Sequence, residues 1–288
     1  MTPSPYATPT AFRQALEARL NGMARQRHVD VQRLRRQVAF DRFLCRLFRH
    51  SGDRWLLKGG YAMELRLRES RTTRDIDLAT RGPLRGSGQL SDRILRLLQD
   101  AVSMDLGDFF VFAVGLPMQD LAGAPCGGAR FPVEARLAGR VFARFHVDVG
   151  TGDPIVEPAD TVLGGGWLEF AGIHAAPFPS ISSEQQFAEK LHAYTLPRGE
   201  RPNTRVRDLL DMYLLLRAGV LPDRIAEAVR AVFARRKTHP VPESLPPPPE
   251  SWAVPFAALA DECGTAIRVD EAFASLKAFL AEVLLRSI

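Results

Sequence analysis

Residues 55–80, WLLKGGYAMELRLRESRTTRDIDLAT, constrain the fold more than any other stretch of the chain. The apolar run 55–57 reads as a strand, the chain breaks at Lys58-Gly59-Gly60, and helical spacing follows over 61–67. Residues 71–74 lead into a second strand over 75–79, which opens with Asp75-Ile76-Asp77. Two glycines between a strand and a helix start let backbone N–H groups face a phosphate. Asp75 and Asp77 share one face of a strand, about 7 Å apart at Cα. There their carboxylates can converge on one or two divalent cations. A phosphate cradle followed by a carboxylate pair is the equipment of metal-dependent nucleotidyl transfer.

A two-metal site needs a further carboxylate, ideally from an adjacent strand. Residues 109–114, 131–137 and 141–149 read as strands, with a Gly-rich loop over 116–130 and a tight hairpin turn at Ala138-Gly139-Arg140. In the last strand Phe142, Arg144, His146 and Asp148 share one face. Val141, Ala143, Phe145, Val147 and Val149 share the other, which is expected to be buried. Asp148 lies near the end of this largely apolar strand. An unpaired carboxylate there would be costly, so a metal or cationic partner is expected, with simple exposure to water as the alternative. His146 reads as a packed or supporting residue rather than a ligand.

Elsewhere the pattern is mostly helical. Residues 1–10 read as a flexible lead, followed by helices over 12–27 and 31–48. Arg33, Arg35, Arg36, Arg42, Arg46 and Arg49 decorate the second, as a solvated face or as a patch for a nucleic-acid backbone. Residues 91–101 form another helix with Ser91 as its cap, and 150–180 read as loop. Beyond, Ser182 to Gln186 offer a capping box, and helices are expected to about Tyr194, over 204–217 and 222–236, and twice within 252–285, after a stiff proline spacer at 246–249. Asp208 and Asp211 share a helix face. One of them can pair with Lys190 of the preceding helix, as a plain salt bridge or as support for a lysine that binds triphosphate. The expected division is 1–177 and 178–288.

The composition is that of an ordinary globular protein, 46% hydrophobic and 25% charged over 288 residues. A net charge of +5 favours polyanionic partners. The basic residues are nearly all arginine, and the lysines are Lys58, Lys190, Lys237 and Lys277. A compact ammonium suits a phosphate in a tight pocket. Cys45, Cys126 and Cys263 have no CxxC spacing and read as reduced structural thiols. No run approaches the ~20 apolar residues that cross a bilayer, and the N-terminus lacks a signal peptide's apolar core. A cytoplasmic protein without a membrane partner is expected.

The set KGG…SRTTRDIDLA, SSEQQFAEKLHAY and RVRDLLDMYLL, spread over about residues 30–220, resembles the AbiEii/AbiGii toxin family of nucleotidyltransferases, a pattern shared with the MenT toxins of mycobacteria. The resemblance implies an α+β fold: a polymerase-β-like nucleotidyltransferase domain with a mixed sheet, followed by an all-helical C-terminal domain. It implies the toxin of a toxin–antitoxin pair, with a cognate antitoxin as partner. MenT-type members transfer nucleotides, often pyrimidine, to tRNA acceptor ends. By position, Gly59 and Gly60 match the glycine motif of the phosphate turn, and Asp75 and Asp77 the metal-binding pair. Lys190 matches the nucleotide-holding lysine, Asp211 the final acidic residue with Asp208 beside it, and Asp148 the third acidic position more loosely. The last motif carries Arg207-Asp208 where the family usually has Lys-Asp. Tyr61 and Ala62 stand where a Ser or Thr commonly follows Gly-Gly, so Thr72 or Thr73 is expected to supply a hydroxyl.

The expected reaction is Mg²⁺-dependent transfer of an NMP from an NTP to an RNA hydroxyl, most simply a tRNA 3′ end. Asp75, Asp77 and Asp148 would serve the metals, and Lys58 and Lys190 the triphosphate. A phosphate added at Thr72 or Thr73 would repel nucleotide. Two alternatives are transfer to a protein or small molecule, and a non-catalytic module that binds antitoxin or RNA.

Overall fold

The computed structural model describes residues 5–67, 71–121 and 123–285. Ser70 of the quoted motif and the first four residues of the expected lead lie outside them. The chain divides into two compact units, one of residues up to Leu65 with Thr73–Gly152 and Thr161–Ser180, the other of Arg66–Thr72, Asp153–Asp160 and Ile181 onward.

In the first unit α1 (Pro9–Arg27) starts at Thr8, whose side chain accepts from the Ala11 N–H, and stops where His28 turns left-handed at φ 53°. Helix α2 (Val31–Ser51) is capped by Asp30. Strand β1 (Trp55–Lys58) runs into α3 (Gly59–Arg66), and β2 (Asp75–Thr80) returns antiparallel beside β1. Helix α4 (Leu90–Val102) begins one residue before Ser91, which therefore sits inside the helix rather than capping it.

Strands β3 (Phe110–Val114), β4 (Gln119–Asp120), β5 (Gly128–Leu137), β6 (Arg140–Gly150), β7 (Asp160–Leu163) and β8 (Pro177–Ser180) complete the sheet. Among the described residues its order is β3-β5-β6-β2-β1-β8-β7, with β4 on β5. The sheet is mixed: β2 lies parallel to β6, and β8 parallel to β1. The expected loop at 150–180 thus holds two strands, both too short and too close to Pro or Gly to show a period. Strand β5 likewise begins inside the Gly-rich stretch.

The core lies on one sheet face, where α2 packs Phe40 and Phe43 against Phe145 with ring centroids 4.8 and 5.8 Å apart. Burying each such side chain stabilises the fold by roughly 1.5–3 kcal/mol. The alternation in β6 holds from Ala143 to Val149 but breaks before it: Phe142 is buried and Val141 half-buried. A bulge is the reason, since Ala135 pairs with Ala143 but Arg136 with Val141.

Two of the arginines expected on the surface of α2 are internal. Arg46 is fully buried and Arg42 nearly so, and both bind Asp108. Neither is a solvated face or a nucleic-acid patch. Arg33 and Arg35 are tied to Glu64 and Glu17.

The second unit is helical: α5 (Ser183–Thr195), α6 (Val206–Arg217), α7 (Pro222–Arg236), α8 (Ala253–Glu262) and α9 (Val269–Leu285). Ser182 caps α5 through the Gln185 N–H at 3.1 Å, but the Gln185 side chain serves Val156 N–H and Pro154 O instead of closing the box. Cys45, Cys126 and Cys263 are free thiols.

Candidate active site

In the first unit, the pleat of β2 turns Ile76 into the core and leaves Asp75 and Asp77 together on the opposite face. The parallel neighbour β6 sets Asp148 directly beside Asp77 and His146 beside Asp75. Three carboxylates therefore stand on one face of two adjacent strands. His146 Nδ1 lies 3.2 Å from Asp75 Oδ1.

The carboxyl of Asp77 is pushed up to about 6, first by withdrawal from water and then by the charge of Asp148. Lys58, its register partner across β1, and a hydrogen bond from the Gly60 N–H pull the other way. Gly59 adopts φ +65°, and a Cβ there would collide with Asp77 Oδ2. The glycine turn is thus shaped around the aspartate. A Cβ on Gly60 would fall 2.5 Å from Thr73 Oγ1, so the Thr73 hydroxyl stands beside the turn. Tyr61 contributes no hydroxyl here. Its side chain is buried, and its OH donates to Asp41 Oδ1 at 2.5 Å, with Gln37 O 3.2 Å from the same oxygen.

Arg130 was not anticipated from the sequence. It sits on β5 across from Asp148 and donates Nε to Oδ1 and Nη2 to Oδ2, each at 2.7 Å. Its Nη2 also lies 3.5 Å from Asp75 Oδ2. The sequence carries only the turn, and the bulge that completes the count is seen in the structure. Counting back residue for residue from the Ala138-Gly139 turn, with one residue added for the bulge, reaches Arg130 opposite Asp148.

Oxygen ligands and an aspartate whose ionisation is opposed by its neighbours suit a hard divalent cation. Asp75 and Asp77 fit that role by chemistry. Among the described residues, no group of three or more His, Cys, Asp or Glu side chains is placed to hold a metal ion. Arg130 meanwhile engages both oxygens of Asp148.

In the second unit, Lys190 of α5 meets α6, with its Nζ 2.6 Å from Asp211 Oδ2 and 3.4 Å from Asp208 Oδ1. Arg71 clamps the same Asp211 with two bonds of 3.1 and 2.9 Å. Burial would raise the Asp211 carboxyl, but Lys190 and Arg71 outweigh it and hold it below the usual carboxylate range. Burial would lower the Lys190 ammonium, but Asp211 and Asp208 hold it above its ordinary value. The Thr72 N–H donates to Glu262 Oε1 at 2.6 Å. Thr72 and Thr73 thus fall in different units. Arg71 was also missed, and nothing in the irregular stretch that carries it would have singled it out.

A mixed sheet with an Asp-x-Asp strand behind a Gly-Gly turn marks a protein of the nucleotidyltransferase class. The chain belongs to the nucleotidyl transferase AbiEii toxin family of type IV toxin–antitoxin systems, whose model matches residues 42–277. Membership implies an NTP substrate and an antitoxin partner, and the family generally works with divalent metals. A solved structure of similar fold is MenT4, a nucleotidyltransferase toxin from Mycobacterium tuberculosis H37Rv. It is 16% identical, with a TM-score of 0.55 over 94% of this chain and 89% of that one. JHP933 from Helicobacter pylori is 14% identical, with a TM-score of 0.49 over 90% and 93% of the two chains. Comparison with curated protein sequences finds no match. Among the described residues no helix is long and apolar enough to cross a membrane.

Proposed function

We propose that the chain transfers a nucleoside monophosphate from an NTP to an RNA hydroxyl with release of pyrophosphate, with the tRNA 3′ end as acceptor and Mg²⁺ as the metal, and that this blocks translation. The observation that carries the reading is Asp77 set beside Asp148 on adjacent strands, under a Gly59-Gly60 turn that leaves room for nothing larger. Asp75 and Asp77 would hold the metal. When bound, such an ion stabilises charge on the phosphates and lowers the pKa of the attacking hydroxyl.

The remaining roles follow from side chains of this protein. Asp148 accepts the attacking hydroxyl's proton, and would join Asp75 and Asp77 in holding the metal if Arg130, which engages both its oxygens, released one. Lys58 turns its charge to the triphosphate, and the Gly59-Gly60 backbone gives close approach to it. Thr73, beside Gly60, supplies the hydroxyl that Tyr61 does not. A phosphate on Thr73 would oppose nucleotide there. Lys190 serves the nucleotide as the family pattern assigns, and Asp211 with Asp208 keeps its ammonium charged.

Incubation with labelled NTPs, Mg²⁺ and total tRNA tests the proposal. Label in the tRNA fraction with wild type and none with Asp77→Ala is the expected result. Label in a protein fraction alone, or labelling undiminished in the variant, would overturn it.

A further inference from the structure

Strand β2 pairs with β6 only from His146 onward, so among the described residues the edge of β6 at Arg144 and Phe145 has no strand beside it on that side. The notch this leaves is a cleft of about 820 Å³ in the first unit. Arg36 reaches it from α2, Arg74 and Asp75 from the start of β2, Arg130 and Glu134 from β5, and Arg144 from β6.

The charge of this cleft is unbalanced. Arg36 Nε is buried with no hydrogen-bond partner among the described residues, and Arg74 is exposed and makes no ion pair among them. Arg144 shares Glu134 with Arg136. Four arginines thus face two carboxylates, and a buried guanidinium N–H without an acceptor is costly. An anion in the cleft would balance the Arg36 guanidinium and its neighbours. Lys58, Gly59 and Gly60 do not line the cleft, so a triphosphate at the glycine turn would use other residues.

The cleft also has direction. Across the strands, Asp77, Asp148 and Arg130 form one rung, Asp75, His146 and Pro132 the next, and Arg144 with Glu134 the third. It therefore leads away from the carboxylates in steps of about 7 Å along the strands. Beside its first two rungs the link from β3 to β4, bonded to β5 at Pro132 O and Arg130 O, exposes Leu116 and Met118, 76% and 62% accessible. Such side chains give the apolar face of a base a surface to pack on by dispersion, beside a basic groove that tracks the backbone of a single strand. The volume is that of a small-ligand pocket, room for about one or two nucleotides and too little for a duplex.

We infer that this cleft is the acceptor-strand site. It takes the phosphodiester backbone of single-stranded RNA just upstream of the reacting 3′ hydroxyl, with Arg36, Arg74 and Arg144 on the phosphates. The inference rests on the reading of the chain as an RNA nucleotidyltransferase.

The test measures binding of a short, 5′-labelled single-stranded RNA with a free 3′ hydroxyl to the full chain, without NTP, across a salt series. Arg74→Ala and Arg144→Ala alter exposed side chains, so folding is not at risk. Each is expected to weaken binding about tenfold. Each should also flatten the plot of log affinity against log salt by about 0.7. Labelled NTP binding with Mg²⁺ should be unchanged. Arg27→Ala, exposed at the end of α1 and outside the cleft, should bind RNA as wild type does. RNA binding by the two variants no weaker than by Arg27→Ala, or no RNA binding by wild type at low salt, would overturn the inference. Wild type that binds RNA through these arginines but adds no label to it would overturn the transfer reading and leave the cleft assignment standing.

Discussion

Lys190 Nζ and Asp211 Oδ2 lie 2.6 Å apart with both side chains almost withdrawn from water. Arg71 adds a second cation to the same carboxylate. Two positive charges thus meet at one buried carboxylate, with Asp208 Oδ1 a more distant second acceptor 3.4 Å from Lys190.

Asp211→Asn leaves both cations facing a neutral amide with only Asp208 as a carboxylate nearby, and should destabilise the protein by about 3–5 kcal/mol. The Asp211 carboxyl is held below its ordinary value, so its contribution is present above about pH 4 and disappears only as pH falls through the depressed folded value. Lys190 is held above its ordinary value, so the pair persists into the alkaline range. Urea midpoints of wild type and variant should therefore differ by a constant amount between about pH 5 and pH 9. A gap that closes within that window counts against the assignment.

Asp77 has the opposite sign. Its folded carboxyl titrates at about 6, above its ordinary value, so ionising it costs stability. That cost is complete above about pH 6, fades between about 6 and 4, and is absent below. Asp77→Asn should thus raise the urea midpoint at about pH 8, with the gain shrinking towards about pH 4, while abolishing nucleotide transfer. The wild type should bind Mg²⁺ about tenfold more weakly for each unit of pH below 6, read by calorimetry.

The Asp75-Ile76-Asp77 face was legible because a strand's alternation is set by its pleat, and Asp148 because a neighbouring apolar strand offered a carboxylate. What the sequence concealed was register. Arg130 became visible only when β5 was extended into glycine-rich sequence and the bulge at Ala135 was counted. Burial of charge was concealed for a related reason. Arg42 and Arg46 look like surface arginines until Asp108, distant in sequence, is brought beneath them. The strands β7 and β8 carry too few residues to establish a period, and only their partners reveal them.

Gly59→Ala places a methyl against Asp77 and forces an L-residue to φ +65°. Strain and displacement together should lower stability by about 1–3 kcal/mol. Because Asp77 itself must move, labelling of RNA should fall by about a hundredfold or more at any NTP concentration. A variant that recovers full activity at high NTP would show that the turn only binds nucleotide.

Asp108 neutralises two buried guanidiniums, one of which also donates to Phe110 O at 2.8 Å. Asp108→Asn should lower the unfolding free energy by about 3–5 kcal/mol. Arg268→Ala, which removes a solvent-exposed pair with Asp270, should leave the denaturation midpoint where it is. Equal effects from the two would mean that the buried network contributes no more than a surface contact.

The interleaving of the two units governs how this protein can be divided. The chain passes between them after Leu65, Thr72, Gly152, Asp160 and Ser180. A cut after Ser180 takes Arg71 from Asp211 and Asp153 from Arg236. Any gene fragment encoding either unit complete must therefore also encode segments of the other, so recombination at a single junction cannot exchange one for a foreign counterpart.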